Sequence, residues 1–303
     1  MFSHRLLTTF TCFAVVFAAG CRSRPAGTEA RFAAAEEAWR AARDVELKGP
    51  ESWLTVAGLF WLDEGDNAFG SDPSNGIVLP SPAAARAGVL IMSAGGFSVR
   101  AEPGAGLTVN GAAVESAPIR DEGRGKPDVL GVGDLTFWII KRDLRYAVRL
   151  RDPKAEPRRA FTRIEYYPAS PEYRVEGEFR SLPKPTAVRV EAKIVGTAEM
   201  TAVGRITFSF RGRDYEVEAW EGETEGTVHL VLGDETNGRE TYGGGRFLDA
   251  PLLDGGRVEL NFNRLYNPPC VFSAYATCPL PPPQNRLPFR VEAGEKMYAG
   301  AGH

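Results

Sequence analysis

Tyr173-Arg174-Val175-Glu176-Gly177-Glu178-Phe179-Arg180 and Val188-Arg189-Val190-Glu191-Ala192-Lys193-Ile194 are the two stretches on which the fold class turns. In both, apolar residues alternate with charged ones, and a period of two sorts them onto opposite faces of a pleated strand. Paired side by side, the runs set arginine and lysine against glutamate on their outer face, a match of about 0.2–1 kcal/mol per cross-strand pair. Working outward, the alternation returns in Ile206, Phe208 and Phe210, in Tyr215, Val217 and Ala219, in Val228, Leu230 and Leu232, and in Val258, Leu260 and Phe262. It is also present in Tyr146, Val148 and Leu150, with Arg145, Arg149 and Arg151 turned outward and Asp152-Pro153 as the stop. Leu135 to Ile140 is a continuous apolar run, as in a core strand, and Phe97 to Arg100 and Leu107 to Asn110 flank Pro103-Gly104-Ala105-Gly106 in a hairpin pattern. Gly 33 and Pro 22 in 303 residues make a turn-rich chain. Helical spacing is confined to Glu29 to Leu47, where Phe32, Ala35, Trp39, Ala42 and Glu46 stand three and four apart, Thr28 caps the start and Gly49-Pro50 ends the helix. The expected fold is all-β: two antiparallel lobes, residues 50–153 and 154–303, preceded by one N-terminal helix within a 21–49 tether segment.

The N-terminus reads as an address. Met1 to Arg5 carries one arginine, Leu6 to Ala18 carries no charge, and Ala18-Ala19-Gly20 precede Cys21. That is the pattern of a secretory signal, too short to span a bilayer. With the cysteine after the small residues it resembles the bacterial lipoprotein signal, which implies cleavage after residue 20 and acylation of Cys21. The alternative is a plain signal cut nearby, leaving a free thiol. Arg22 stands where an aspartate would retain the protein at the inner membrane, so the resemblance implies a lipid-anchored envelope protein, on the periplasmic face of the outer membrane in a two-membrane cell. The expected partner is therefore the membrane, through lipidated Cys21. A net charge of −3 offers no basic field for nucleic acid.

Cys12 leaves with the signal, so Cys270 and Cys278 are the thiols left in an oxidising compartment. A disulfide between them is expected, at about 2–3 kcal/mol; free thiols, or a metal or catalytic cysteine, are the alternatives. Two cysteines without two further ligands nearby do not make a zinc site, and no metal is expected. No cofactor is expected either, because neither G-x-G-x-x-G after a strand nor G-x-x-x-x-G-K-[ST] is present. G-x-S-x-G and H-E-x-x-H are likewise missing, and His229, on the strand face opposite the core run, is the one histidine between the signal and the terminal His303.

In the first lobe, Phe69-Gly70-Ser71-Asp72, Asn75, Ile77, Leu79, Val109-Asn110-Gly111 and Gly131-Val132-Gly133-Asp134 resemble forkhead-associated β-sandwiches in order. Those domains bind phosphothreonine through an arginine and a Ser-x-x-His; here Ser71 holds the arginine's place and no Ser-x-x-His exists. The resemblance implies the sandwich and not phosphopeptide binding.

The unusual chemistry lies near the carboxyl end. Tyr242 and Arg246 enclose three glycines, a pattern in which backbone N–H groups converge beside a planar cationic fork. Glu259, Asn261 and Asn263 share one strand face, and Tyr266, Asn267, Asn285 and Arg286 sit on proline-rich loops that cannot be interior strands. Tyr242, Arg246, Asn261, Asn263, Tyr266, Asn267, Asn285 and Arg286 are therefore the candidate site for a small polar or anionic ligand. Two alternatives stay open: a hydrolase with Glu259 or Asp249 as general base and Arg246 holding an anion, or a structural envelope protein whose amides brace loop backbone. Whether the protein is an enzyme is left open. The runs Tyr242 to Asp249, Asn261-Phe262-Asn263, Tyr266-Asn267-Pro268-Pro269-Cys270, Cys278-Pro279-Leu280-Pro281-Pro282-Pro283 and Ala293 to Lys296, with Ser52 to Leu62 and Phe69 to Asn75 upstream, resemble an uncharacterised bacterial family known only as a domain of unknown function. The resemblance spans roughly residues 40–298; it implies lipoproteins among the members and brings no activity.

Overall fold

The computed structural model describes residues 26–300; the signal segment and Cys21 lie outside the described residues. Helix α1 (Ala26–Lys48) ends where Gly49 turns its N–H back to the carbonyl of Glu46. Its docking is more polar than the Trp39 and Phe32 stripe suggests. Glu36, 2% exposed, bonds Asn261 and Arg264, and Arg43 bonds Glu295, while Leu47 is its fully buried apolar anchor. Among the described residues no helix is long and apolar enough to cross a membrane.

The first lobe contains β1 (Val56–Trp61), β2 (Gly65–Gly70), β3 (Ile77–Val78), β4 (Gly88–Ser93), β5 (Gly96–Ala101), β6 (Leu107–Val109), β7 (Ala112–Ala113), β8 (Ser116–Ile119), β9 (Leu130–Val132), β10 (Leu135–Arg142) and β11 (Arg145–Arg151). One sheet runs β1-β11-β10-β9-β6-β7 and the other β3-β2-β4-β5-β8, antiparallel except for β2 against β3. The two sheets share one core. Phe69 and Leu90 come to it from one sheet and Phe137 and Val148 from the other, with the Phe69 and Phe137 rings edge to face at 5.4 Å.

A short link with α2 (Glu156–Ala160) leads to the second lobe, a closed barrel of β12 (Arg174–Ala192), β13 (Gly196–Phe210), β14 (Arg213–Glu221), β15 (Thr227–Leu232), β16 (Arg246–Leu253) and β17 (Arg257–Asn261). β17 pairs with β12 and completes the ring of strands. The alternating apolar residues from Ile206 to Phe262 fill its interior.

Three local expectations are corrected. The runs around Val175 and Val190 do not pair with each other; they are two halves of β12, and both pair with β13. Pro183 and Pro185 lack N–H donors, so the ladder is interrupted between Ser181 and Thr186 while the chain stays extended. The outward charges find other partners: Arg174 meets Glu259 and Glu176 meets Arg257 across β12 and β17. The hairpin around Pro103 does not form either, because β5 and β6 belong to opposite sheets and the turn carries the chain between them. Arg149, read as turned outward, is only 5% exposed. Its sheet face is covered: its guanidinium stacks 4.7 Å from the Trp53 ring centre, and burial pushes it down to about 10.

Candidate functional site

Most of the expected ligand groups point into protein. Arg246, with no exposed surface, gives its fork to Asp234 (2.9 Å) and to the carbonyls of Val291, Ala293 and Glu295. Its expected part in anion binding is therefore corrected: a cation whose terminal nitrogens are committed inside the core holds no ligand. Asn263 takes the N–H of Ser170 on Oδ1 and donates Nδ2 to the Ser170 carbonyl, both at 2.9 Å. Asn285 does the same to Glu218, at 2.7 and 2.9 Å. Each amide clamps one residue's backbone as a neighbouring strand would. Asn261 donates to Glu36 and receives Asn263, and Asn267 donates Nδ2 to the Lys296 carbonyl. Arg286 is exposed on the proline loop, and Tyr242 is half-buried against Cys270. Glu259 is paired with Arg174 on the barrel surface. Of the eight candidates, only Tyr266 reaches the large cavity.

That cavity, about 770 Å³, lies at the junction of α1, the β10–β11 hairpin and the outer face of the barrel. The helix contributes Trp39 and Arg43, the hairpin Lys141 and Arg142, and the barrel with its C-terminal loop His229, Phe247, Asp249 and Tyr266. Inter-lobe bonds hold its walls: Arg142 Nε donates to Thr277 at 2.8 Å, and Arg189 meets Asp143 at 3.0 Å. Glu199, Glu221 and Glu223 stand at the lining without an ion-pair partner among the described residues.

Within the wall, β15 and β16 place His229 directly opposite Asp249. His229 Nδ1 lies 2.8 Å from Asp249 Oδ1, and Tyr266 donates its hydroxyl to Asp249 Oδ2 at 2.8 Å. Burial pushes the Asp249 carboxyl up, but the donors His229 and Tyr266 outweigh it and hold the group below the usual carboxylate range. The reverse holds for Tyr266, whose burial and anionic neighbour push it well above the usual phenol value. An ionised carboxylate only accepts, so the imidazole carries a proton on Nδ1, turned toward Asp249. Arg43 stacks 4.9 Å from the Tyr266 ring centre and Phe247 meets the imidazole edge-on at 4.9 Å, which fixes both rings. Arg43 is itself anchored by Glu295, a fully buried carboxyl that also receives the Asn267 N–H. Sequence reasoning named Asp249 and Tyr266 separately and missed their joining with His229, because the sequence has no mark of which β15 residue faces which β16 residue; Trp39 showed only as a helix-face residue, and Arg43 was not singled out.

Cys270 and Cys278 are free, buried thiols rather than the expected disulfide. The Cys270 N–H donates to Cys278 Sγ at 3.1 Å, and Cys270 Sγ lies 3.4 Å from the Tyr242 hydroxyl. Hydrogen bonding to Cys278 is the largest of the effects that lower the Cys270 thiol to about 7, whereas burial pushes Cys278 up. Among the described residues no group of three His, Cys, Asp or Glu is placed to hold a metal ion.

Residues 159–296 match the model of a family described as protein of unknown function (DUF1684), so the barrel half carries a domain of an uncharacterised family. The match is narrower than the expected 40–298. No curated protein matches the chain. Among solved structures, an uncharacterized protein of Haloarcula marismortui is 30% identical, with 48% of this chain and 80% of that chain covered and a TM-score of 0.40. The FHA-2 domain of a Mycobacterium tuberculosis ABC transporter is 28% identical, covering 29% and 77%, with a TM-score of 0.23. A domain from work on phosphothreonine-dependent FHA domain interactions is 19% identical, covering 31% and 93%, also with a TM-score of 0.23.

Proposed function

We propose that this is a lipid-anchored protein of the bacterial cell envelope that takes a small polar ligand into the cavity between α1, the first lobe and the barrel. The observation that carries the reading is the cavity itself. Its volume of about 770 Å³ falls within the range of small-molecule sites, and aromatic and hydrogen-bonding residues share its lining. Arg246, the cation expected to hold an anion, is committed inside the core and does not line this cavity. The unpaired Glu199, Glu221 and Glu223 favour a ligand bearing amino or hydroxyl groups. Trp39, Phe247 and Tyr266 offer ring faces and edges for its apolar part.

Thermal-shift screening of the mature protein against amino sugars, peptidoglycan fragments, amines and carboxylates tests this. The expected result is stabilisation by an amine- or hydroxyl-rich member, lost in Trp39→Ala. A panel without any stabilising member, or shifts unchanged in that variant, overturns it.

A further inference from the structure

We infer that the cavity is also a reaction site, in which His229 acts as general base for hydrolysis of a small cationic carboxylic ester. The inference rests on the cavity being a ligand site. It begins from the three-membered arrangement already described. Tyr266 fixes one oxygen of Asp249, the other oxygen fixes the proton of His229 on Nδ1, and the imidazole lines the cavity. A base oriented by a carboxylate that is itself oriented by a third group is the logic of hydrolytic triads, with roles and geometry rather than sequence order defining it. The lining presents no serine or cysteine, so the nucleophile assigned here is water.

The step balances as follows. Nε2 of His229 accepts a proton from water while the water oxygen bonds to the acyl carbon. Collapse of the adduct breaks the acyl–oxygen bond, and the imidazolium returns its proton to the departing alcohol oxygen. The products are an alcohol and a carboxylic acid, which ionises and releases one proton. Lys141 brings positive charge to the lining from the first lobe, Arg142 beside it being paired with Glu122, and this charge suits the negative charge that develops on the acyl oxygen. Glu199, Glu221 and Glu223 recruit the cationic part of the substrate. His229 is the catalytic residue; Asp249 and Tyr266 are positioning residues.

The experiment uses acetylcholine as the cationic ester and ethyl acetate as the uncharged one, with proton release followed in a pH-stat and binding measured separately by calorimetry. Turnover of acetylcholine above buffer is expected, with ethyl acetate turned over at a rate at least about tenfold lower, since an uncharged ester gains nothing from the acidic lining. His229→Gln is expected to lower kcat by about 100-fold or more with its melting temperature and acetylcholine affinity retained. Asp249→Asn and Tyr266→Phe should lower kcat with KM unchanged, a split that a merely structural role does not produce. Binding without turnover, or full turnover by folded His229→Gln, overturns the catalytic inference and leaves the ligand site standing. Equal turnover of the two esters overturns the cationic specificity. The absence of both binding and turnover for both esters also overturns this inference, while the wider ligand panel decides the binding reading on its own.

Discussion

Asp234 and Arg246 are 2% and 0% exposed in their side chains, and the pair joins the start of β16 to the chain beyond the proline loop. Removing one member of a buried pair leaves the other charge without compensation, a loss of about 3–5 kcal/mol. Asp234→Ala is thus expected to destabilise by that amount in urea unfolding, since Thr236 and the Val291 N–H lose their acceptor as well. A loss below about 1 kcal/mol would remove the pair from the framework. Asp249 behaves differently. Its folded value lies below the ordinary one of about 3.9, so its ionised form contributes stability that is fully present above that pH and is lost as pH falls through the folded value. The stability gap between the native protein and Asp249→Asn should shrink as the pH falls below about 4. A gap independent of pH would mean that the carboxylate gains nothing from His229 and Tyr266.

At the scale of elements, β14 and β15 share only two register pairs, Trp220 with His229 and Glu221 with Val228. Beyond them the edge of β14 at Glu218 has no strand to bond, and the Asn285 amide fills the gap while the Asn285 carbonyl receives the N–H of Gly233 from the end of β15. The proline-rich loop is therefore a plug between two diverging strands, and its stiffness serves that purpose. Asn285→Ala leaves a buried donor and acceptor unmatched and should cost about 1–3 kcal/mol, with faster hydrogen exchange at Glu218 as its local mark. Unchanged exchange there would refute the plug. This is also where legibility ended. Strand identity was readable because burial on one face imposes a period of two, as in Val228, Leu230 and Leu232. A side-chain amide carries no such period: Asn263 and Asn285 announced that backbone somewhere needed a partner, not that Ser170 and Glu218 were the recipients. The same holds for His229 and Asp249, whose pairing depends on register set across the long connection from 233 to 245.

The whole molecule is organised by α1. Residues 27–35 of the helix are exposed, apart from half-buried Phe32, and the first residue buried by the body is Glu36. The last three turns supply Trp39 and Arg43 to the cavity and Leu47 to the cluster that binds helix, link and C-terminal loop. One element is thus exposed at its start and lines the cavity at its end. Five residues from Cys21 to Ala26 reach at most roughly 18 Å, and about ten exposed helical residues add roughly 15 Å. Acylation of Cys21 would then hold the body a few tens of ångströms from the bilayer, with the cavity wall on the same helix as the anchor. The first residue of the helix buried by the body is Glu36, fifteen positions beyond Cys21, so the anchor is separable from the fold. Cys21→Ser in the full chain should melt as the native body does, lose labelling by radioactive palmitate, and move from the detergent phase to the aqueous phase on partitioning. A native protein that takes no label and partitions into water, or a Cys21→Ser variant that stays in detergent, would detach this molecule from the membrane.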